Sequence, residues 1–189
     1  MKIIGYNASP RKDGNTAWAV SKMLEGARGR GATAEMWHAG ELEIKPCRGC
    51  LGCAKSGECG VADDMQRIYA SLKGAGGLIL GAPIYMGQMC AQAKIFTDRL
   101  FAQIKPRFSP AFKEENAGKK LALIFTQGNP DKNRFKEYCE YTKRMFQILE
   151  FDVTDMIIVA GTRTEPANER NDLPSALTSA GAKFACAAQ

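Results

Sequence analysis

Apolar positions along the chain fall into short continuous runs, separated by stretches with helical spacing. The runs KIIGYN (2–7), GLILGAP (77–83), KLALIFTQG (120–128) and DVTDMIIVA (152–160) predict buried strands. TAEMWH (33–38) predicts a second, weaker strand. The 77–83 run is apolar almost throughout, as expected of a strand covered on both faces. Between the runs, one-sided spacing predicts helices. The first, over 15–30, puts Val20, Met23, Leu24 and Ala27 on one face. The next opens at Asp63-Asp64 and carries Met65, Ile68, Tyr69 and Leu72 on one stripe; aspartate there suits the orphan amides of a helix start. Further helices are expected over 91–104, along Phe135, Tyr138, Cys139, Thr142, Phe146 and Leu149, and over 173–187. The stretch after the second strand, rich in glycine and lysine, predicts irregular structure, as does the proline-punctuated 105–118.

Strands alternating with helices imply an α/β fold: a doubly wound parallel sheet with helices on both faces. Five strands in 189 residues suit a flavodoxin-like sheet of order 2-1-3-4-5. The expected organisation is one domain, 1–189, with a cysteine-rich insertion at about 45–60.

The N-terminus MKIIGYNASPRK does not have the layout of a signal peptide, and no apolar run is long enough to span a bilayer. The expectation is therefore a cytoplasmic protein with no membrane partner. Of its net charge of +6, part lies in Arg99, Lys105, Arg107, Lys113, Lys119 and Lys120, set against Glu114 and Glu115. This stretch is expected to be a solvated face, the alternative being a docking patch for an acidic protein or a phosphorylated cofactor. No recognition helix or RNA-binding signature argues for nucleic acid. The single histidine, His38, excludes a histidine dyad or a histidine-rich metal site.

Open parallel sheets bind ligands beyond the carboxyl ends of their strands, at the switch point, here beside strands one and three. Strand one runs into NASPRKDGNT (7–16), where a helix begins. Ser9, Asn15 and Thr16 offer short donors, Arg11 offers a guanidinium, and the exposed amides of the helix start attract an anion. A plain polar turn with a Ser or Asn cap is the alternative. The loop after strand three places Tyr85, Met86 and Met89 near Gly87, a wall suited to a flat aromatic ligand, a lid or a subunit contact. The loop after strand four lies at the same edge, where Gln127 and Gly128 can offer amide donors.

CRGCLGCAKSGEC (47–59) gathers four of the seven cysteines, Cys47, Cys50, Cys53 and Cys59, at C-x2-C-x2-C-x5-C spacing. In a reducing compartment clustered thiols point to metal or redox chemistry. The spacing suits a 4Fe-4S cluster held by four thiolates; zinc and free or redox-active thiols remain the alternatives. Cys90, Cys139 and Cys186 are isolated and are expected to be ordinary buried or partly buried thiols.

Together SPRKDGNT, PIYMGQM with KIFTDR after it, and TQGNPD resemble the NAD(P)H-dependent FMN reductase superfamily of flavodoxin-like fold. The cysteine segment followed by VADDM resembles one branch, the iron-sulfur flavoproteins. The resemblance covers about 1–160 and implies bound FMN. It assigns the phosphate to Ser9, Arg11, Asn15 and Thr16, and the ring and ribityl chain to Pro83, Ile84, Tyr85, Met86 and Gly87, with Gln127 and Gly128 opposite. It also implies a homo-oligomer, dimer or tetramer, served by a ferredoxin-type electron carrier or by NAD(P)H. Residues 161–189 carry no motif of this kind.

Three functions remain open at this point. The first is an FMN-dependent electron-transfer oxidoreductase with a 4Fe-4S cluster. The second is an NAD(P)H-dependent FMN or quinone reductase whose cysteines hold zinc or nothing. The third is a flavodoxin-like binding module without turnover. On the first two readings the flavin carries the chemistry, so no side chain is expected to act as acid, base or nucleophile.

Overall fold

The structure, a computed structural model, describes residues 1–104 and 118–188. Among the described residues six strands form: β1 Lys2–Asn7, β2 Thr33–His38, β3 Gly77–Tyr85, β4 Gln88–Met89, β5 Lys120–Thr126 and β6 Asp152–Val159. The helices are α1 Asn15–Arg28, α2 Gly52–Ser56, α3 Met65–Lys73, α4 Ala91–Arg99, α5 Phe101–Ile104, α6 Lys136–Ile148 and α7 Leu173–Ala187, with 3-10 turns at Ala39–Glu41 and Ala167–Glu169.

Five strands lie in the order β2-β1-β3-β5-β6, each pair parallel. Once the two-residue β4 is set aside, this is the expected flavodoxin-like order. β4 was not expected. It folds back antiparallel on the end of β3, pairing Ile84 with Met89 and Tyr85 with Gln88. The turn between them holds Met86 at φ 50° and Gly87 at φ 84°, the two positive angles of a type I′ hairpin.

Strand side chains alternate between two apolar layers. On one face Ile4, Tyr6, Leu78, Leu80, Leu121 and Leu123 meet Met65, Ile68 and Leu72 of α3, Phe96 of α4 and Phe146 of α6. On the other, Ile3, Ile79, Ala122 and Ile124 meet Val20, Met23 and Leu24 of α1 and Leu177 and Phe184 of α7. Burying each large aliphatic side chain contributes about 1.5–3 kcal/mol, which explains why the continuous apolar runs became the central strands. The weaker run became the edge strand β2, exposed or half-buried along its length.

α7, in the part of the chain without a recognisable motif, packs directly on α1. Gly26 of α1 and Gly181 of α7 face each other's backbones at the crossing, with no room for a side chain at either position.

Several expectations need correction. The helix expected over 91–104 breaks at Leu100 into α4 and α5. The cysteine stretch is not wholly irregular, because α2 turns within it. Arg99, assigned to a solvated face, is only 1% exposed and pairs with Asp63, while Lys119 is buried with its ammonium on the Leu72 carbonyl at 2.6 Å. Lys105, Arg107, Lys113, Glu114 and Glu115 lie outside the described residues. Cys90 and Cys139 are buried as expected, but Cys186 is exposed. Among the described residues no helix is long and apolar enough to cross a membrane.

Candidate functional site

β1 delivers the chain to the sheet edge at Asn7, a fully buried side chain that shapes the next loop. Its amide nitrogen lies 3.3 Å from the Arg11 carbonyl and 3.3 Å from His38 Nδ1, and its oxygen accepts from the Ser9 amide at 3.2 Å. Ser9 Oγ in turn accepts from the Arg11 amide at 3.1 Å. α1 then starts behind Gly14. This N-cap has no side chain to serve the first-turn amides, and no acidic residue lies in the first turn. An uncapped helix start attracts anions through its free N–H groups and its positive dipole end. The alternative of a Ser or Asn cap is thereby corrected.

The start of α1 opens on a cleft of about 320 Å³. Ser9, Arg11, Asn15 and Thr16 line one side, Pro83, Ile84 and Tyr85 another, and Thr126 and Gly128 the far side. Met86 and Gly87 line an adjoining hollow of about 410 Å³ with Asn129, Pro130 and Phe135. The two spaces share Ile84, Gly128 and Arg163. A further hollow of about 610 Å³ lies beyond Arg11, between Trp18, Met36, His38 and Pro166.

Not every short donor in this set is free for a ligand. The hydroxyls of Thr16 and Thr126 meet at 2.7 Å. Asn15 Oδ1 accepts from the Ala167 amide at 2.7 Å, which leaves its NH2 group for other partners. Gln127 does not line either space: its side-chain nitrogen donates to the Asn129 and Asp131 carbonyls and its main-chain amide to Val159. It shapes the loop from within, and the amide donors expected of it are already engaged.

Arg163 was missed in the sequence. It follows β6 directly, at the strand end where open parallel sheets place ligands, and that position was the available signal. The β6 loop is stitched to the β5 loop by Gly161 N–H on the Asn129 carbonyl at 2.8 Å and Thr162 N–H on Gln127 at 3.1 Å. Arg11 and Arg163 are both exposed, and both line the cleft.

The cysteine segment stands apart from these spaces: none of its four cysteines lines them. Cys47 and Cys50 are exposed; Cys53 and Cys59 are half-buried and pack against the α3-side core. Left-handed backbone at Gly49 and Leu51 lets the chain coil tightly there. The Gly49 amide donates to Cys47 Sγ at 3.5 Å. The Gly52 amide, with Arg48 beside it, pulls the Cys50 thiol below its ordinary range, toward thiolate. Burial raises the Cys53 thiol, and its neighbours Cys59 and Cys47 raise it further.

Four thiols, with the Gly49 amide on the Cys47 sulfur and the Gly52 amide on the Cys50 sulfur, suit a soft metal centre or iron-sulfur cluster. Among the described residues no three cysteine, histidine or acidic side chains stand together as a formed ligand set. The fit therefore lies in the donor chemistry and the turning backbone.

Residues 1–153 match the NADPH-dependent FMN reductase family. The chain belongs to this family. Among curated relatives, an iron-sulfur flavoprotein of Methanocaldococcus jannaschii is 39% identical over 99 residues, 52% of this chain and 51% of that protein. The chain spans about half the length of several curated relatives it matches, this one included. A second iron-sulfur flavoprotein from the same organism is 31% identical over 162 residues, 85% of this chain and 76% of that one. These relatives support the iron-sulfur flavoprotein branch of the FMN reductase superfamily. Among solved structures, an NAD(P)H:quinone oxidoreductase from Methanothermobacter marburgensis superposes with a TM-score of 0.73 at 16% identity, covering 97% of this chain and 96% of that one. That likeness shows the shared fold.

Proposed function

We propose that this protein is an FMN-dependent electron-transfer oxidoreductase with a second redox group, a 4Fe-4S cluster, on Cys47, Cys50, Cys53 and Cys59. The observation that carries the flavin part is the uncapped start of α1 behind the Ser9–Arg11 loop, opening on a cleft walled by Pro83–Tyr85 and Gly128. The first-turn amides and Arg11 hold a phosphate, Asn15 adds its NH2 group, and Ser9 offers a hydroxyl that donates to no other described residue. Pro83, Ile84 and Tyr85 wall one side of a flat ring, with Met86 and Gly87 at its edge. Bound flavin supplies exchange of one or two electrons, and a cluster supplies single electrons. The chain's own part is to bind, orient and set the local charge. In support of the cluster stand the four-thiol donor set, the N–H groups on the Cys47 and Cys50 sulfurs, and the relatives that are iron-sulfur flavoproteins. The reaction partner, NAD(P)H or a ferredoxin-type carrier, would approach over the Arg163 rim.

Removing the Arg11 guanidinium tests the phosphate assignment. Arg11→Ala should weaken FMN binding by about 1.5–3 kcal/mol, the value of a hydrogen bond to a charged group, and leave riboflavin affinity unchanged. Calorimetric titration of apoprotein with each ligand measures both. Unchanged FMN affinity, together with equal binding of riboflavin, would remove the assignment.

The exposed rim also supports a homo-oligomer, dimer or tetramer. Met86 is fully exposed at the tip of its hairpin, and Tyr85 beside it is 46% exposed. Apolar groups grouped at a ligand rim suit cover by a second copy. Sedimentation of the FMN-loaded protein at micromolar concentration should give a dimer or larger; a clean monomer would sink this reading.

A further inference from the structure

The flanks of the cysteine segment are tied to each other and to the core through two buried charges. Arg99, at the end of α4, donates to both oxygens of Asp63, at 2.6 and 3.1 Å. The two side chains are 1% and 2% exposed. The same guanidinium reaches the Lys45 carbonyl at 2.7 Å on one side of the cysteines and the Val61 carbonyl at 3.5 Å on the other. Asp63 returns the contact, accepting from the Lys45 amide at 2.9 Å and the Met65 amide at 3.0 Å. One step outward, Glu43 and Asp64 exchange two further hydrogen bonds, at 2.9 and 3.2 Å. Gln66 donates to the Cys59 and Val61 carbonyls, both at 2.8 Å. Tyr69 fixes the pair from beneath, its hydroxyl donating to the Arg99 carbonyl at 2.6 Å.

A buried ion pair contributes little net stability against an apolar substitute, so its retention asks for another explanation. Nearly every partner here is a main-chain atom at residue 43, 45, 59, 61 or 65, the neck of the four-cysteine loop. Arg99 Nε is buried with no acceptor among the described residues. A fixed cation thus stands at the neck, bonded to the Val61 carbonyl two residues from Cys59.

We infer that Arg99, Asp63 and Gln66 form a clasp that closes the neck of the cysteine loop and positions its four thiols for a cluster. They are positioning residues: none is a ligand, and none lines the flavin cleft. The inference rests on the cluster reading above. Its consequence is that loss of the clasp speeds loss of the metal without disturbing the flavin.

The variants are Gln66→Ala, at an exposed position, and Arg99→Lys, which keeps the charge but loses the planar fork. In FMN-loaded, metal-free protein, hydrogen exchange of the amides at 43–45 and 61–66 should rise while the β1 and β3 amides stay protected. After anaerobic loading of each chain with ferrous iron and sulfide, iron release to a chelator should be about tenfold faster in Arg99→Lys, the usual lower effect of an outer-shell change. Gln66→Ala should show a smaller increase, and FMN affinity should match wild type in both. Wild-type release rates in both variants would overturn the positioning role, whatever the exchange shows. If Arg99→Lys does not fold, the release rate of Gln66→Ala decides alone. A wild-type chain that takes up no iron overturns the cluster reading and this inference with it; that failure is distinct because it appears before any substitution.

Discussion

Alanine in place of any one of Cys47, Cys50, Cys53 or Cys59 is expected to abolish a stable 4Fe-4S cluster. A cubane has four iron corners, and this segment offers one thiol for each. Outer-shell changes alone cost about 10- to 100-fold in metal affinity, so loss of a ligand should cost at least that. Iron and sulfide analysis after anaerobic reconstitution measures the loss, and flavin reduction by a rapid one-electron donor measures its consequence. The four-alanine variant should reduce FMN more slowly than wild type. Equal rates would take the cluster off the electron path and make a reductase without a cluster the better description.

The largest loss of stability is expected at the crossing of α1 and α7. A methyl group on Gly26 would sit 1.9 Å from the Thr178 carbonyl oxygen, and one on Gly181 would sit 1.9 Å from that of Met23. Both obstacles are backbone and cannot swing away. Alanine gains about 1 kcal/mol of helix propensity over glycine, but overpacking costs about 1–3 kcal/mol, and more where backbone must move. The clash wins. Gly26→Ala and Gly181→Ala should each lower stability by about 2 kcal/mol or more, and the melting temperature by about 4–8 °C for a chain of this size. Gly74→Ala is the control: nothing lies within 4 Å of the added methyl group, and its change should be small. Thermal and urea unfolding of the three variants compares them directly. Melting temperatures for the two crossing variants equal to that of the control would show that the helices do not meet this way. The crossing bears on the cleft because the start of α1 lines it and α7 packs against α1.

How far the sequence revealed the molecule depended on where each interaction partner lies. Strand runs such as Leu78–Leu80 and Leu121–Phe125 carry their burial in their own composition, so the sheet and its order were legible. The Ser9–Thr16 loop was legible because a polar, glycine-bearing stretch directly follows a buried strand. Arg99 was misplaced because an arginine is normally solvated, and the carboxylate that buries it lies 36 residues away. The Met86–Gly87 hairpin was missed because methionine does not advertise a positive φ angle. The engagement of Gln127 and the stitching of Gly161 to Asn129 depend on β5 and β6 ending side by side, which local pattern does not encode. Asn7 looked like the end of a strand and proved to be the organiser of the loop that follows.

The neck at Lys45, Val61 and Asp63 also separates the cysteine loop from the sheet mechanically. The clasp grips the loop flanks mainly through main-chain atoms and the single side chain of Asp63. The loop between the flanks can therefore lengthen at small cost, because doubling a flexible loop adds only about 0.6 kcal/mol of closure entropy. A segment held this way behaves as an interchangeable cartridge. Its length and make-up can change while the cleft at the sheet edge keeps its shape.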